Sequence, residues 1–399
     1  MPRPTALVLS VCLLAFLCSC VSPSAVRETG PIHLGIYADL SSSGARDGND
    51  AVKGAQLRVE QINESGGVGG RMVDLIVLDM KQNPTEAVKA YTTLAQERKV
   101  TAVIGSSVPN AGLAVSPVAD LAHVPLVSLS IDDRVTSPDL NPEIPDATGP
   151  ARQFTFLVQP TAATIGAGLA AYAAEHFQLQ RYATLYDPSS VVSLIEARAF
   201  EAGIKRAGKV LAVSLEMPPG DYAATLDAVK AAHAEALFVC GSVEQNAALA
   251  KEALDVAFQP LILGNQSWYA PLIDRAGAAA NGVVFAMGIS PDDVGLGDIS
   301  VRFATKYGEK PRTAVVPGWD AVGLILAAVR KTGSSSPQKV RDALEILTGF
   351  KGLEGTFDMD RKTHRLSQLP VAIMRIWSGA YTTLEPRYVS RQSKSGSTK

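Results

Sequence analysis

Cysteine, histidine and unbalanced charge are all scarce in this chain, and each scarcity excludes something. Only 4 cysteines occur in 399 residues, and those at 12, 18 and 20 crowd the N-terminus, leaving Cys240 alone. A single internal thiol allows no intramolecular disulfide. The 5 histidines, at 33, 123, 176, 233 and 364, are isolated, and none stands in a metal-ligand spacing such as H-x-x-x-H. There is no Gly-x-Ser-x-Gly elbow, no Walker A loop and no Gly-x-Gly-x-x-Gly opening a helix after a strand. The chain therefore reads as a non-enzyme with no cofactor and no metal. Lys and Arg number 37 against 39 Asp and Glu, scattered rather than clustered, which removes the electrostatic case for nucleic acid. After the N-terminal segment no run is long and apolar enough to cross a membrane.

The first twenty residues are built differently. Arg3 supplies a short positive start, and the apolar run 6–17 falls short of the roughly 20 residues that a membrane span needs. It ends in Leu17-Cys18-Ser19-Cys20, with a large apolar residue three places and a small one directly before Cys20, the pattern of a lipoprotein cleavage site. Residues 1–19 are thus expected to be a signal peptide and Cys20 the lipidated first residue of the mature chain. Residues 20–30 read as a tether holding a soluble monomer on the outer side of the cytoplasmic membrane or in the periplasm. A plain secretory signal is the alternative. Cys240, inside the apolar run Ala236–Cys240, is expected to be a small buried core residue.

From Ile32 onward strand-like and helix-like runs alternate. The stretch 60–71, Glu-Gln-Ile-Asn-Glu-Ser-Gly-Gly-Val-Gly-Gly-Arg, shows the unit most plainly. Ile62 closes the apolar face of a helix, and Gly66-Gly67 supply left-handed backbone that ends helices without a Cβ penalty. Gly69-Gly70 then turn the chain into the apolar strand 72–79. Runs such as Ala102-Val103-Ile104 are apolar throughout, as expected of strands covered on both faces. This alternation predicts an α/β protein with parallel sheets and helices on both sides. It breaks at the Pro-, Asp- and Gly-rich stretch 137–152 and restarts at Phe154, so two lobes of similar design are expected, with a boundary near residue 152. Residues 352–377 read as a closing β hairpin, and 386–399 as a disordered tail.

The wording of these segments resembles the extracellular solute receptors of the branched-chain amino-acid-binding type, the leucine/isoleucine/valine-binding family with the type I periplasmic-binding fold. The matching residues run in order: Gly35-Ile36, Gly54-Ala55, Ile62-Asn63, Gly66-Gly67-Val68, Gly70-Arg71 and Val103-Ile104-Gly105, then Tyr186-Asp187, Ala202-Gly203, Phe238-Val239, Gly282-Val283, Tyr307-Gly308 and Trp319-Asp320-Ala321. The resemblance implies two doubly wound parallel-sheet lobes joined by three crossover strands. Lobe 1 would comprise 31–153 plus 289–352, and lobe 2 would comprise 154–288 plus 353–385. It also implies a small-molecule ligand held between closing lobes and delivered to the permease of an ABC importer. A ligand sensor or envelope regulatory lipoprotein on the same fold, without transport, is the alternative.

Ligands of open α/β sheets bind beyond the carboxyl ends of the strands. That rule makes candidates of Ser42, Ser43 and Asp47, of Ser106, Ser107 and Asn110, and of Ser128, Ser130 and Asp132. Asp187, Ser242, Glu244, Gln266 and Trp268 occupy equivalent loops in the second half. In the amino-acid-binding members, the resemblance implies, a serine after the third strand takes the ligand carboxylate; this chain has Pro109 there. The expected hydroxyl falls at Asp132, the expected acid at neutral Gln266, and expected tyrosines at Asp47, Val191 and Ser242. The α-amino-acid clamp does not carry over, and a zwitterion buried without partners for both charges would cost several kcal/mol. Asp47, Asp132, Asp187 and Glu244 around one cleft would suit a cationic or polyhydroxylated ligand, within a wider expectation of a small polar solute that is amino acid-like, an amide, cationic or a polyol. The same acids also fit helix N-termini, Asp187 beside Pro188 above all. Loop 41–43 fits a solvated turn equally well, and Trp268 fits either ligand stacking or packing beneath its loop.

Overall fold

In a computed structural model the described residues are 28–144, 149–291 and 297–389. The expected signal peptide, the lipidation site at Cys20, the tether as far as residue 27 and the tail from 390 lie outside them. The chain begins with β1 (Ile32–Ala38), α1 (Ala45–Glu64), β2 (Val73–Asp79), α2 (Pro84–Thr92), β3 (Ala102–Ile104), α3 (Pro109–Ala122), β4 (Leu126–Ser128) and β5 (Thr155–Leu157). It continues through α4 (Ala162–His176), β6 (Arg181–Tyr186), α5 (Val191–Arg206), β7 (Val210–Glu216) and α6 (Ala223–Ala231). Then follow β8 (Ala236–Cys240), α7 (Val243–Asp255), β9 (Leu261–Gly264), α8 (Leu272–Ala276) and β10 (Val284–Met287). The last part holds α9 (Gly297–Tyr307), α10 (Val315–Thr332), α11 (Pro337–Glu345), β11 (Phe350–Lys351), β12 (Thr356–Phe357), β13 (Met359–Asp360), β14 (Arg365–Leu366), β15 (Val371–Trp377) and β16 (Ala380–Tyr388).

Two seven-stranded sheets result, ordered β13-β14-β5-β4-β3-β1-β2 and β16-β15-β10-β9-β8-β6-β7. Both are parallel at their centres and antiparallel only at the edge contributed late in the chain. Helices α1, α10 and α11 cover one face of the first sheet, and α2 and α3 the other. In the second sheet α6, α7 and α8 lie on one face, α4 and α5 on the other. The chain passes between the sheets three times, after Leu157, after Met287 and after Leu366. Among the described residues no helix is long and apolar enough to cross a membrane.

Three expectations shift. The strand opened by Phe154 does not start the second sheet: β5 pairs in parallel with β4, Leu126 opposite Thr155, and closes the first. Residues 353–385 are divided, because Met359 and Leu366 are buried in the core beneath α10 and α11 while only β15 and β16 join the second sheet. The closing hairpin is therefore β15–β16 rather than 352–377. Its two-residue turn, Ser378 (φ 50) and Gly379 (φ 72), has the left-handed backbone that a tight hairpin requires, and β16 runs on to Tyr388, past the expected start of the tail.

The glycine stop at the end of α1 has the expected geometry. Gly66 (φ 88) and Gly67 (φ 76) are left-handed, and the Gly67 N–H donates to Ile62 O at 2.9 Å. Asn63 then fixes the entry of β2: its Nδ2 donates to Val73 O at 2.9 Å, and its Oδ1 accepts from Val73 N at 2.8 Å.

Helices α1 and α10 approach until backbone meets backbone. A Cβ on Gly54 would fall on Val315 O, and one on Gly318 would fall on Ala51 O. Neither neighbour is a flexible side chain that could move aside. Gly318→Ala should therefore destabilise the protein by roughly 1–3 kcal/mol or more. Urea unfolding reads this as a lower midpoint with unchanged slope, and an unchanged midpoint would show that the helix pair is looser than described.

Candidate functional site

The carboxyl ends of β1, β3, β4, β9 and β10 converge on a cavity of about 310 Å³. Asp47 and Ala51 of α1, with Ser107 and Pro109 at the start of α3, line it on the side of the first sheet. Leu129 and Ile131 after β4, and Thr313, Ala314 and Pro317 at the start of α10, extend that wall. The second sheet contributes Gln266 after β9 and Met287 at the end of β10. Two crossing segments, Gln159–Pro160 and Gly288–Ile289, complete the lining. A larger cavity of about 680 Å³ lies between α4, α5 and the C-terminal strand. Val389, the last described residue, is part of its lining.

Of the residues singled out from the sequence, the cleft brings together Asp47, Ser107 and Gln266, with Pro109 beside them. The others are spent on local structure. Ser42 belongs to the turn before α1, where its hydroxyl donates to Asp39 and accepts from Gly44 N; Ser43 is exposed on the same turn. Ser106 Oγ accepts from Val108 N at 3.1 Å, and Asn110 is an exposed residue of α3. Ser128 Oγ accepts from Ser130 N at 3.2 Å, and Ser130 Oγ accepts from Asp132 N at 3.0 Å. Asp132 is fully buried and paired with Arg134 at 2.7 Å. Asp187 accepts from the N–H and hydroxyl of Ser189. Ser242 caps α7 in a reciprocal box with Gln245, and exposed Glu244 pairs with Arg275 at 3.2 Å. Trp268 is fully buried, its indole N–H donating to Val239 O at 3.2 Å. The expected ring of four acids is thus not assembled: only Asp47 lines the cleft. The residues missed, Thr313, Pro317 and Ile289 among them, come from segments far along the chain whose neighbours no local pattern reveals.

The family model for periplasmic binding proteins matches residues 31–380. The chain belongs to this family. A Leu/Ile/Val-binding protein homologue of Brucella abortus (strain 2308) is 24% identical over 383 residues, spanning 90% of this chain and 92% of the relative. A branched-chain amino acid transporter substrate-binding protein of Streptococcus pneumoniae, solved with isoleucine, matches with a TM-score of 0.70 at 23% identity, over 89% of this chain and 100% of that one. A solute-binding protein of an ABC transporter from Rhodopseudomonas palustris BisB5, solved with 3,4-dihydroxybenzoic acid, matches with a TM-score of 0.69 at 19% identity, over 90% and 98%. These structural likenesses establish the fold. Family members are extracytoplasmic solute-binding proteins rather than enzymes.

Several buried carboxylates of this periplasmic binding protein lie outside the cavity lining. Asp133, fully buried, accepts from Arg365 of β14, from Thr161 Oγ1 at 2.7 Å and from Ala163 N at 3.1 Å. Glu196 of α5 accepts on Oε2 from Cys240 Sγ at 3.2 Å and Asn265 Nδ2 at 3.1 Å, while its Oε1 has no partner. Cys240 is indeed buried. Burial pushes the Glu196 carboxyl from the ordinary 4.5 up to about 7, and burial likewise raises Asp320 to about 7 despite the bond it accepts from Leu353 N.

These shifts fix a pH dependence. Between about pH 5 and 7 the folded Glu196 holds a proton that the unfolded chain has released, so its contribution to stability falls as pH rises through that window. His364, held below the ordinary 6.5 by burial, works the other way, so the difference between wild type and Glu196→Gln is the informative quantity. Urea unfolding at pH 5 and 7.5 should show the wild type losing up to about 3 kcal/mol more than the variant. Equal losses would contradict the raised carboxyl.

Proposed function

We propose that this protein is the lipid-anchored substrate-binding component of an ABC importer, capturing a small solute between two closing lobes and delivering it to a membrane permease. The observation that carries the reading is the cleft itself, lined from both sheets and by two of the crossing segments. An occupant touching Asp47 or Ser107 on one side and Gln266 on the other binds the closed form better than the open one. Only such differential contact couples occupancy to shape. Hinge closure around a ligand is a common device of such two-lobed receptors. The names of the relatives support a small-molecule cargo, and the dihydroxybenzoate complex supports a scaffold whose cargo need not be an amino acid. Leu17-Cys18-Ser19-Cys20 supports anchoring through a lipid on Cys20, with the receptor acting as a monomer.

A thermal-shift screen of the mature chain against amino acids, amides, amines, sugars and aromatic acids tests the capture. A binder at 100 times its Kd should stabilise the fold by about 2.7 kcal/mol. No shift with any solute would favour an envelope regulator that binds another protein. Metabolic labelling with palmitate tests the anchor: the wild type should carry label in the membrane fraction, and Cys20→Ser should lose it. Label retained by Cys20→Ser would place the lipid elsewhere.

A further inference from the structure

Asp47 is the one charged side chain lining the cleft, and its carboxylate makes no hydrogen bond or ion pair among the described residues. Among the described residues no Lys, Arg or His lines the cavity. The arginines of the surrounding segments are each tied to a buried aspartate: Arg134 to Asp132, Arg365 to Asp133, and Arg312, next to Thr313, to Asp50 at 2.6 and 2.7 Å. Arg46 precedes Asp47 but does not line the cavity.

Helix starts could serve an anion in place of cations, yet α1, whose first turn no side chain caps, carries Asp47 in that turn, and α3 and α10 offer few free donors. At α3 the first position is Pro109, which has no N–H, and the Ala111 and Gly112 N–H groups donate back to Val108 O at 3.1 and 3.2 Å. At α10 the Val315 and Val316 N–H groups donate to Arg312 O and Thr313 O, and Pro317 again has no N–H. A ligand carboxylate would therefore gain at most the hydroxyls of Ser107 and Thr313 and the amide of Gln266, with no cation to balance its charge. It would also face Asp47.

We propose that the cleft selects aliphatic amines, solutes carrying an ammonium group and no carboxylate. The inference rests on the solute-receptor reading and narrows it. Asp47 takes the ammonium in a charge-assisted hydrogen bond. The ammonium has three donors, and Ser107, Thr313 and Gln266, whose side chains make no other hydrogen bond among the described residues, offer acceptors for the remaining two. Gln266 comes from the second sheet, so an ammonium shared between it and Asp47 favours closure. The aliphatic body lies against Ala51, Leu129, Ile131, Met287 and Ile289. Among the described residues no aromatic ring lines the cavity.

Four compounds of matched shape isolate the charges: leucine, isoamylamine (leucine without its carboxylate), leucinamide (its carboxylate blocked) and 4-methylpentanoate (leucine without its amine). Titration calorimetry on the mature protein should find isoamylamine and leucinamide binding at least about tenfold more tightly than leucine, and 4-methylpentanoate not at all. Asp47→Asn should weaken isoamylamine by a similar factor while lowering the unliganded melting temperature only slightly, since Asp47 is also the acid in the first turn of α1, and Asp47→Glu should restore part of the loss. Leucine or 4-methylpentanoate binding as tightly as the amines would overturn the inference, as would amines that fail to bind or bind Asp47→Asn equally. Failure of the receptor reading looks different: then no compound in the wider thermal-shift screen stabilises the protein.

Discussion

Neither sheet of this protein can be completed by a contiguous piece of chain, and one buried carboxylate sits where the pieces meet. Asp133 follows β4 of the first sheet, receives the guanidinium of Arg365 from β14, and accepts from Thr161 and Ala163 at the start of α4 on the second. Three segments distant in sequence thus converge on one charge. Removing a partner of a buried, hydrogen-bonded ion pair typically costs 3–5 kcal/mol because the remaining charge is stranded.

The same economy of charge shapes the cleft. Loops at strand ends are rich in Ser and Asp, as a polar binding site would be, but most of that polarity is consumed within two or three residues. From Ser128 to Arg134 every second residue bonds the next in a staircase: Ser130 N to Ser128, Asp132 N to Ser130, Arg134 N to Asp132. Among the described residues, what remains for a ligand is one carboxylate, two hydroxyls, the Gln266 amide and the Gln159 Oε1 among aliphatic walls. The scaffold is that of the family, whereas the chemistry of the cavity belongs to this chain.

Much of the fold was legible because parallel strands covered on both faces are continuously apolar and because glycines mark helix stops. One signal present in the sequence was misread: Ser242 with Gln245 is the reciprocal cap of α7 rather than a ligand contact. Trp268 packs over Gly264, where any Cβ would strike the indole, so that glycine was a hint of a buried ring. The sheet that β5 joins could not be read, since an apolar three-residue strand fits either. Nor could the part of the cleft built by Thr313 and Pro317, which depends on α10 docking against α1 at Gly54 and Gly318.

The central claim is that a solute in the cleft draws the two sheets together. Spin labels on Thr85→Cys at the start of α2 and Pro219→Cys beyond β7 mark exposed positions at the strand ends of the first and second sheets, and native Cys240 is too buried to react. Pulsed dipolar distance measurement should show the label separation shorten by several ångströms when a stabilising solute is added, with the unliganded distribution broader. A separation unchanged by a solute that demonstrably binds would contradict the account.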